Sequence, residues 1–327
     1  MSANRVSDIR PVAFPSALMG GQENASTRPV LSIIAPHLNQ PEYLAAFLQS
    51  LYSQFDMDDV EVIVVDNGSR EDPATVVASW PQVNLTSELE PGPGPARNRG
   101  VALSHAPILA FTDADVLFDK NWKARLLKRF EDPATKVIGG GVQIFPLDPE
   151  NPSPAEAYEQ VYAFPQQKYI EKQNFSVSAN LAMLREVFDA VGPFVGISVA
   201  EDAEWGQRAT KAGYPAVYAP EVLVHHPARP TMTALKRKWD RNISHQYEVQ
   251  GTSPVSKVRW LVKAGALLVS PVFNILLLAT TPRLKHPRDR WRAFRALLEL
   301  RAYRARKMIS TLLRDRSRYA SMRWNRD

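Results

Sequence analysis

Two aspartates, Asp113 and Asp115, stand one residue apart directly after the apolar segment 107–112, which is typical of a buried β-strand. In an open α/β sheet the carboxyl ends of the strands face the crevice in which ligands bind. Two carboxylates at such an edge repel each other. A divalent cation with oxygen ligands, Mg²⁺ or Mn²⁺, commonly offsets the repulsion while contacting substrate phosphates. An Asx turn or a helix N-cap after the strand is the structural alternative, and the pair alone does not decide between the two.

Other polar residues also stand where predicted strands end or helices begin. Asp66 ends a second apolar strand, and Arg97 opens a helix after a loop of prolines and glycines, a position suited to a phosphate or a base edge. The glycines of that loop have neither the dinucleotide-binding nor the P-loop spacing. Glu201, Asp202 and Glu204 begin a predicted helix, where the helix dipole alone would favour carboxylates.

The elements that must position these residues alternate along the first two thirds of the chain. Apolar strands at 30–36 and 60–66 flank a helix at 42–53, which predicts a βαβ unit with two parallel strands. We expect further strands at 83–86, 107–112, 137–144 and 217–226, and helices from 96, at 122–130, after 178–182 and from 201. This order predicts an α/β fold whose sheet is mainly parallel and flanked by helices.

The charge is distributed unevenly along the 327 residues. Residues 229–327 carry 23 Lys+Arg and 6 Asp+Glu, a net charge of +17, whereas residues 1–228 carry 17 and 28, a net charge of −11. A basic tail predicts contact with an anionic surface, membrane or nucleic acid, and solvated helix faces are the alternative. The absence of cysteine excludes disulfides and thiolate chemistry and fits a reducing compartment. We expect residues 1–28 to form a disordered leader without a cleavable signal.

Six motifs, in order along residues 29–228, resemble those of the inverting glycosyltransferase family 2. They are a strand ending in Pro36, Val65-Asp66-Asn67-Gly68-Ser69, Ala96-Arg97-Asn98 with Gly100, Thr112-Asp113-Ala114-Asp115, Ser178-Ala179-Asn180, and Glu201-Asp202 followed by Arg208 and Gly213. The resemblance implies a GT-A-like (Rossmann-like) fold, with a mixed, mainly parallel sheet. It also implies transfer of a sugar from a nucleotide-diphosphosugar, usually a UDP-sugar.

The resemblance assigns roles to individual residues. The implied donor-nucleotide residues are Pro36, Asp66, Arg97 and Asp113, the metal ligands are Asp113 and Asp115, the general base is Asp202, and the sugar-binding residues are Asn180, Glu201 and Trp205. Mg²⁺ or Mn²⁺ would act as a Lewis acid on the leaving diphosphate, and the base would accept the proton of the acceptor hydroxyl.

A histidine near the metal is common in related folds, and the last predicted strand ends in His225 and His226. Adjacent side chains of a strand point to opposite faces, so at most one of the two can reach the site. A metal- or phosphate-binding role and a structural role remain the alternatives for either residue.

Two departures from the family pattern carry information. Processive synthases have Gln-x-x-Arg-Trp after the base, whereas residues 235–239 read Leu-Lys-Arg-Lys-Trp, which favours addition of a single sugar. Residues 35–39 lack the usual hydroxyl residue before the proline and the aromatic before the asparagine, so base recognition differs in detail.

The basic tail predicts association with a membrane. Residues 229–260 are expected to be a helical extension near the acceptor cleft, and 261–281 form the most apolar stretch, interrupted by Ser270-Pro271 and Asn274. That stretch could be a re-entrant or interfacial hairpin, a membrane span, or a helix pair buried in the protein. Residues 288–318 have an apolar stripe flanked by arginines, typical of a helix in the headgroup layer, with a core-packing helix as the alternative.

The leading hypothesis is a non-processive glycosyltransferase at the cytoplasmic face of the inner membrane. It would act on a lipid-linked or growing glycan, as in exopolysaccharide biosynthesis. A nucleotidyltransferase would need a glycine-rich basic loop after the first strand, where this chain has Pro36-His37-Leu38-Asn39. A nucleic-acid-binding protein would use the basic tail but would leave the aspartates unexplained. We expect no nucleic acid as a partner.

Overall fold

The computed structural model describes residues 28–54, 56–196, 200–249, 251 and 253–313. The expectations for residues 1–27 and 314–318 therefore fall outside the described residues. The strands are β1 Leu31–His37, β2 Val60–Asp66, β3 Val83–Ser87, β4 Ile108–Thr112, β5 Leu117–Phe118, β6 Val137–Phe145, β7 Asn180–Leu184 and β8 Val217–Pro227. The helices are α1 Pro41–Gln54, α2 Ala74–Val77, α3 Pro93–Leu103, α4 Trp122–Phe130, α5 Pro154–Tyr162, α6 Gln166–Gln173, α7 Arg185–Val191, α8 Glu201–Lys211, α9 Met232–Val249, α10 Pro254–Val269, α11 Ile275–Thr280 and α12 Pro287–Leu313.

The strands form one mixed sheet in the order β3-β2-β1-β4-β7-β6-β8-β5. The first four strands of this order are parallel, β7 is antiparallel to both of its neighbours, and β8 is parallel to β6. The carboxyl ends of β1, β2 and β4 therefore meet at one edge, where the sequence predicts the acidic site.

Helices cover both faces of the central strands, which explains why those strands are continuous apolar runs rather than alternating patterns. On one face, Phe47 of α1 and Trp122 of α4 belong to the core. On the other face, α3, α7 and α8 pack on the sheet, with Trp205 of α8 fully buried. A side chain at Gly100 would collide with Ile34 of β1, so this glycine lets α3 lie directly on the strand.

The sequence pattern did not predict β7, α5 or α6. The expectation of a helix after residues 178–182 is confirmed, because α7 runs from Arg185 to Val191, but the strand Asn180–Leu184 before it was not predicted. A short apolar run does not distinguish a strand from a buried helix, which explains why the strand was missed. The start of α5 did have a sequence signal, a capping box in which Ser153 and Glu156 bond each other's backbone N–H.

The C-terminal helices pack on α5 and on one another rather than forming a detached tail. The apolar stripe of α12 includes Leu297, Leu300 and Met308, which are all buried within the protein. This part of the stripe packs as the core-packing alternative predicts, whereas Trp291 and Leu298 of the same helix are 60% and 44% exposed, so contact of the helix with lipid headgroups stays a prediction. Packing on neighbouring helices already removes the buried part of the stripe from water. One of its arginines, Arg304, lies 3.3 Å above the ring of Trp239.

The apolar stretch at 261–281 forms the end of α10, a 3₁₀ turn at Val272–Asn274, and α11. Pro271 breaks the helix, and the Asn274 side chain donates to the Ser270 carbonyl at 2.8 Å. No single described helix has both the length and the apolar composition to cross a bilayer. The pair Pro254–Val269 and Val272–Thr280, bent by 52°, has them only when taken together. Of the three alternatives for this stretch, a helix pair buried in the protein does not fit, because Phe273 at the bend is 80% exposed.

Asn180 joins three strands at the irregular part of the sheet. Its amide donates to the carbonyls of Gly141 at 2.8 Å and Val222 at 2.7 Å, and its oxygen accepts from the Trp122 indole at 3.1 Å. The pairing of β6 with β8 shifts register between Gly140 and Gly141, which leaves carbonyls for the asparagine to bind. The residue is 3% exposed, so these bonds are shielded from water.

We predict that Asn180→Ala lowers the free energy of unfolding by about 3 kcal/mol, because it leaves buried polar groups without partners. Urea denaturation followed by circular dichroism measures the change. Asn151→Ala, in an exposed loop, is the matched control and should shift stability by less than about 0.5 kcal/mol. Unchanged stability of Asn180→Ala together with lost substrate binding would instead support the sugar-binding role.

Candidate active site

A cavity of about 290 Å³ opens at the carboxyl ends of β1, β2 and β4. The starts of α3 and α8, the end of β8 and one turn of α9 complete its walls. The charged residues that line it are Arg97, Asp113, Asp115, Glu201, Asp202, Arg229 and Arg241, together with His226. Acidic residues from separate parts of the chain thus open onto one space.

Asp113, Asp115 and His226 bring their ligand atoms within 4.8 Å of one another. The Nε2 of His226 lies 3.5 Å from Asp115 Oδ1 and 4.0 Å from Asp113 Oδ2. Its Nδ1 donates to the Pro227 carbonyl at 2.8 Å, so Nε2 of the neutral ring presents a lone pair to the carboxylates. The buried Oδ1 of Asp115 has no hydrogen-bond partner among the described residues. Two carboxylates and an imidazole, with one carboxylate oxygen left without a partner, form a ligand set that fits a divalent cation.

The environment of Asp115 also couples cation binding to pH. Burial is the largest influence and raises the pKa of Asp115, His226 opposes it, and the charge of Asp113 adds to it. A cation must compete with a proton for this carboxylate, so affinity for the cation should fall as the pH is lowered.

Arg97 links the metal-binding side of the cavity to the opposite acidic side. Its guanidinium lies 3.1 Å from Asp113 Oδ1 and 2.8 Å from Glu201 Oε1, and the side chain is only 2% exposed. The close packing of α3 on β1 at Gly100 places the arginine at this depth. Arg97 therefore fixes two carboxylates and offsets part of their mutual repulsion.

Asp202 lies in the first turn of α8 and accepts a hydrogen bond from the N–H of Ala203 at 2.8 Å. Burial, with the neighbouring charge of Glu201, raises the pKa of Asp202 to about 7, although Arg97 acts in the opposite direction. A carboxylate that titrates near neutral pH can accept a proton while remaining largely ionised, as a general base requires.

Asp66 is the last residue of β2, in register with His37 of β1, and it lies beside the cavity without being one of its lining residues. Its carboxylate accepts from the N–H groups of Gly68 and Ser69, an Asx turn at the strand end. The next residue, Asn67, lines the cavity. Its amide donates to the carbonyls of Glu88 and Glu90.

The comparisons with known proteins agree with this geometry. The family model described as Glycosyl transferase family 2 matches residues 32–192. Glycosyltransferase AglE of Haloferax volcanii is 31% identical over 221 residues, which are 65% of this chain and 72% of that protein. The chain belongs to glycosyltransferase family 2.

Two further likenesses are narrower. Validoxylamine A glucosyltransferase of Streptomyces hygroscopicus subsp. limoneus is 31% identical over 177 residues, 51% of this chain but 38% of that protein. The mannosyltransferase PcManGT from Pyrobaculum calidifontis, solved in complex with GDP-Man and Mn²⁺, aligns with a TM-score of 0.57 at 21% identity. That alignment covers 89% of each chain and shows the fold alone. The GT-A-like fold class and the assignment as a glycosyltransferase are confirmed, and the nucleotidyltransferase alternative is not retained.

In this family 2 glycosyltransferase, three residues expected at the site lie elsewhere. His225 points to the other face of β8, where its Nε2 lies 3.3 Å from Asp119, because adjacent strand residues alternate. Trp205 is in the core, and its indole donates to the Gly192 carbonyl. Asn180 is occupied by strand carbonyls. His225 is therefore outside the metal-binding cluster, and the side chains of Trp205 and Asn180 are not among those that line the cavity.

Other residues of the glycosyltransferase cavity were missed from the sequence. Phe164 and the arginines Arg229 and Arg241 all line it, as do Ser178 and Ala179, which the sequence analysis quoted in a motif without giving them a role. Arg229 follows His226 by three residues, a proximity that could have drawn attention to it. Phe164 and Arg241 have no local motif, because only the packing of α5, α6 and α9 brings them to the cavity.

We predict that His226→Ala and Asp115→Asn each weaken Mn²⁺ binding about tenfold or more, because each removes a ligand of the cluster. Titration of the purified protein with Mn²⁺, with free Mn²⁺ measured by electron paramagnetic resonance, gives the dissociation constants. His225→Ala is the matched control and should bind like the wild type. Loss of binding in His225→Ala with retention in His226→Ala would reverse the assignment.

Proposed function

We propose that the protein transfers one sugar from a nucleotide-diphosphosugar to a hydroxyl of a lipid-linked or growing glycan, with inversion at the anomeric carbon. The observation that carries this proposal is the shared cavity of the Asp113, Asp115 and His226 cluster and the carboxylate of Asp202. One part of the cavity suits a diphosphate with its cation, and the other offers a proton acceptor.

The chain's own residues divide the reaction between them. Asp113, Asp115 and His226 would hold Mn²⁺ or Mg²⁺, and the imidazole nitrogen favours Mn²⁺. When bound, the cation supplies Lewis-acid neutralisation of the charge that develops on the leaving diphosphate. Arg97 keeps Asp113 in place by its 3.1 Å contact.

Asp202 is the proposed general base. It accepts the proton of the acceptor hydroxyl as the hydroxyl oxygen attacks the anomeric carbon from the face opposite the leaving group. One displacement of this kind inverts the configuration and needs no covalent intermediate. The pKa of about 7 suits the task, since a more acidic carboxylate would be a weaker base.

The nucleotide part of the donor is proposed to lie along Pro36, Leu38 and Asn67, with Asp66 next to it. The expectation of a UDP-sugar stays a prediction. The structurally similar mannosyltransferase was solved with GDP-Man, so a donor screen needs both UDP- and GDP-sugars. Release of nucleoside diphosphate, measured with Mn²⁺ or Mg²⁺, reports turnover.

We predict that Asp202→Asn abolishes sugar transfer, by at least about 100-fold in kcat, while donor binding stays within about threefold of the wild type, because the change removes only the proton acceptor. Calorimetry of donor binding and release of nucleoside diphosphate measure the two effects. Glu204→Gln is the control, since Glu204 pairs with Arg208 on the same helix and does not line the cavity.

The pH profile gives the same prediction a second measurement. The ionised form of Asp202 is the active one, so kcat/KM should rise about tenfold per pH unit up to a pH near 7 and level off above it. Saturating Mn²⁺ keeps the titration of the metal ligands out of the profile. A flat profile between pH 5 and pH 8, or normal turnover by Asp202→Asn, would remove Asp202 from the role.

We also propose that the protein binds an anionic membrane surface through the bend between α10 and α11. Val272, Phe273 and Leu276 at this bend are 64%, 80% and 74% exposed, which is unusual for large apolar side chains. The basic residues nearest the bend along the chain are Lys263 of α10 and Arg283 after α11, which are both exposed and would meet anionic headgroups. A re-entrant or interfacial insertion fits better than a span, because α10 is already packed along α12.

The cytoplasmic face of the inner membrane stays the predicted location.

We predict that the double variant Phe273→Asp with Leu276→Asp reduces binding to phosphatidylglycerol vesicles about tenfold or more, because two large apolar side chains no longer enter the bilayer. Co-sedimentation with vesicles measures the partitioning. Val217→Asp, at an exposed apolar position at the start of β8, is the control. Equal binding by all three proteins would exclude this surface as the attachment site.

A further inference from the structure

We propose that Arg229 and Arg241 form a phosphate-binding site on the wall of the cavity that the C-terminal extension provides, and that the buried carboxylate of Glu159 positions it. The inference rests on the proposed function for its place in the reaction. It goes beyond that function in assigning a ligand to two arginines that none of the family motifs includes.

Glu159 of α5 is a buried anchor for this wall. It is 1% exposed, and its carboxylate accepts from the backbone N–H of Arg229 at 2.8 Å and from the Arg229 guanidinium at 2.9 Å. The ammonium of Lys238 lies 3.1 Å from the same carboxylate and 5.2 Å from the centre of the Phe164 ring. Arg229 therefore has a fixed backbone and a fixed side chain at the edge of the cavity.

Arg229 and Lys238 share the single carboxylate of Glu159, and Arg241 lies close enough to Arg229 for the two positive charges to act on each other. Burial and the charge of Arg229 lower the pKa of Lys238 to about 8, and the same two causes lower the pKa of Arg241. A bound anion would relieve the repulsion among the three cations. The two arginines line the cavity and Lys238 does not, so the arginines are the groups that a ligand can reach.

The place of the two arginines indicates which part of a substrate they meet. Arg229 acts electrostatically on Asp115 of the metal cluster, and Arg241 acts on Glu201, the neighbour of the proposed base. The wall thus runs from the metal-binding end of the cavity towards the end where the acceptor hydroxyl must arrive. Guanidinium groups bind phosphate oxygens in pairs and stay charged when buried, which suits them to a phosphoryl group.

Two phosphates could supply this chemistry. One is the diphosphate that leaves with the nucleoside, and the other is a phosphate that links an acceptor to its lipid. Both present the same oxygens to the arginines, so separate probes must distinguish them. Inorganic pyrophosphate with Mn²⁺ stands for the first source, and farnesyl phosphate, compared with farnesol, stands for the second.

Calorimetric titration of Arg229→Gln and Arg241→Gln with each probe tests the site. We expect both variants to weaken binding of the same probe about tenfold, because each removes charged hydrogen bonds to phosphate. Weaker pyrophosphate binding assigns the site to the leaving group. Weaker farnesyl phosphate binding, with farnesol unaffected, assigns it to the acceptor. Arg237→Gln, an exposed arginine on the same helix, is the charge-matched control.

The proposal is overturned if neither probe distinguishes the two variants from Arg237→Gln, or if the wild type binds neither probe. Melting temperatures show whether Arg229→Gln still folds, and Arg241→Gln decides the question alone if it does not. Arg241→Lys, which keeps the charge, should recover part of the affinity. No sugar donor takes part in these titrations, so a wrong donor or a wrong base would leave their outcome unchanged.

Discussion

The concentration of negative charge at one edge of the sheet is the constraint on which the rest of the structure depends. Asp113, Asp115, Glu201 and Asp202 line a single cavity, where burial and neighbouring carboxylates raise the pKa of Asp115 and of Asp202. Such a cluster destabilises the folded chain unless cations compensate it. The protein supplies the buried guanidinium of Arg97 itself. The remaining imbalance is what makes the cluster of Asp113, Asp115 and His226 suited to a metal ion.

The fold places compensating charge on the two sides of this cluster by different means. Arg97 reaches it from α3, which lies close to β1 because Gly100 has no side chain. On the other side, the chain leaves the sheet after β8 and enters the C-terminal helices, which bring Arg229 and Arg241 to the cavity. The acidic residues come from the sheet and α8, and the added arginines come from the extension. The site is therefore where the acidic part of the chain, residues 1–228, meets the basic part, residues 229–327.

The local features of the fold could be predicted from the sequence, and the long-range ones could not. The strand Val60–Asp66 and the helix Trp122–Phe130 have the predicted bounds, because each is a continuous or periodic apolar pattern with clear ends. The cavity residues Asp113 and Asp115 follow from one such strand. By contrast, the family resemblance implied sugar contacts for Trp205 and Asn180, yet they serve packing and strand pairing. A motif identifies a position in the fold, and only its contacts show whether the side chain faces a substrate.

The basic tail is a second case in which a sequence pattern did not predict the contacts of its residues. Its arginines and apolar residues predicted a helix on a lipid surface, but much of the apolar stripe of α12 is buried within the protein, and the most exposed large apolar side chains of this extension are Phe273 and Leu276 at the bend before it. The periodicity of apolar residues predicts that one face of a helix is buried, but it does not indicate whether lipid or another part of the protein buries it.

α9 connects the two proposed roles of this extension. It carries Arg241 at the cavity, and two residues later Ile243 packs in one cluster with Trp260 of α10. If the bend after α10 binds lipid, the membrane and the arginine wall are held by the same helices, and an acceptor anchored in that membrane would approach the cavity from the side of the wall. The position of the wall is then set by α5 through Glu159 and by the membrane through α10.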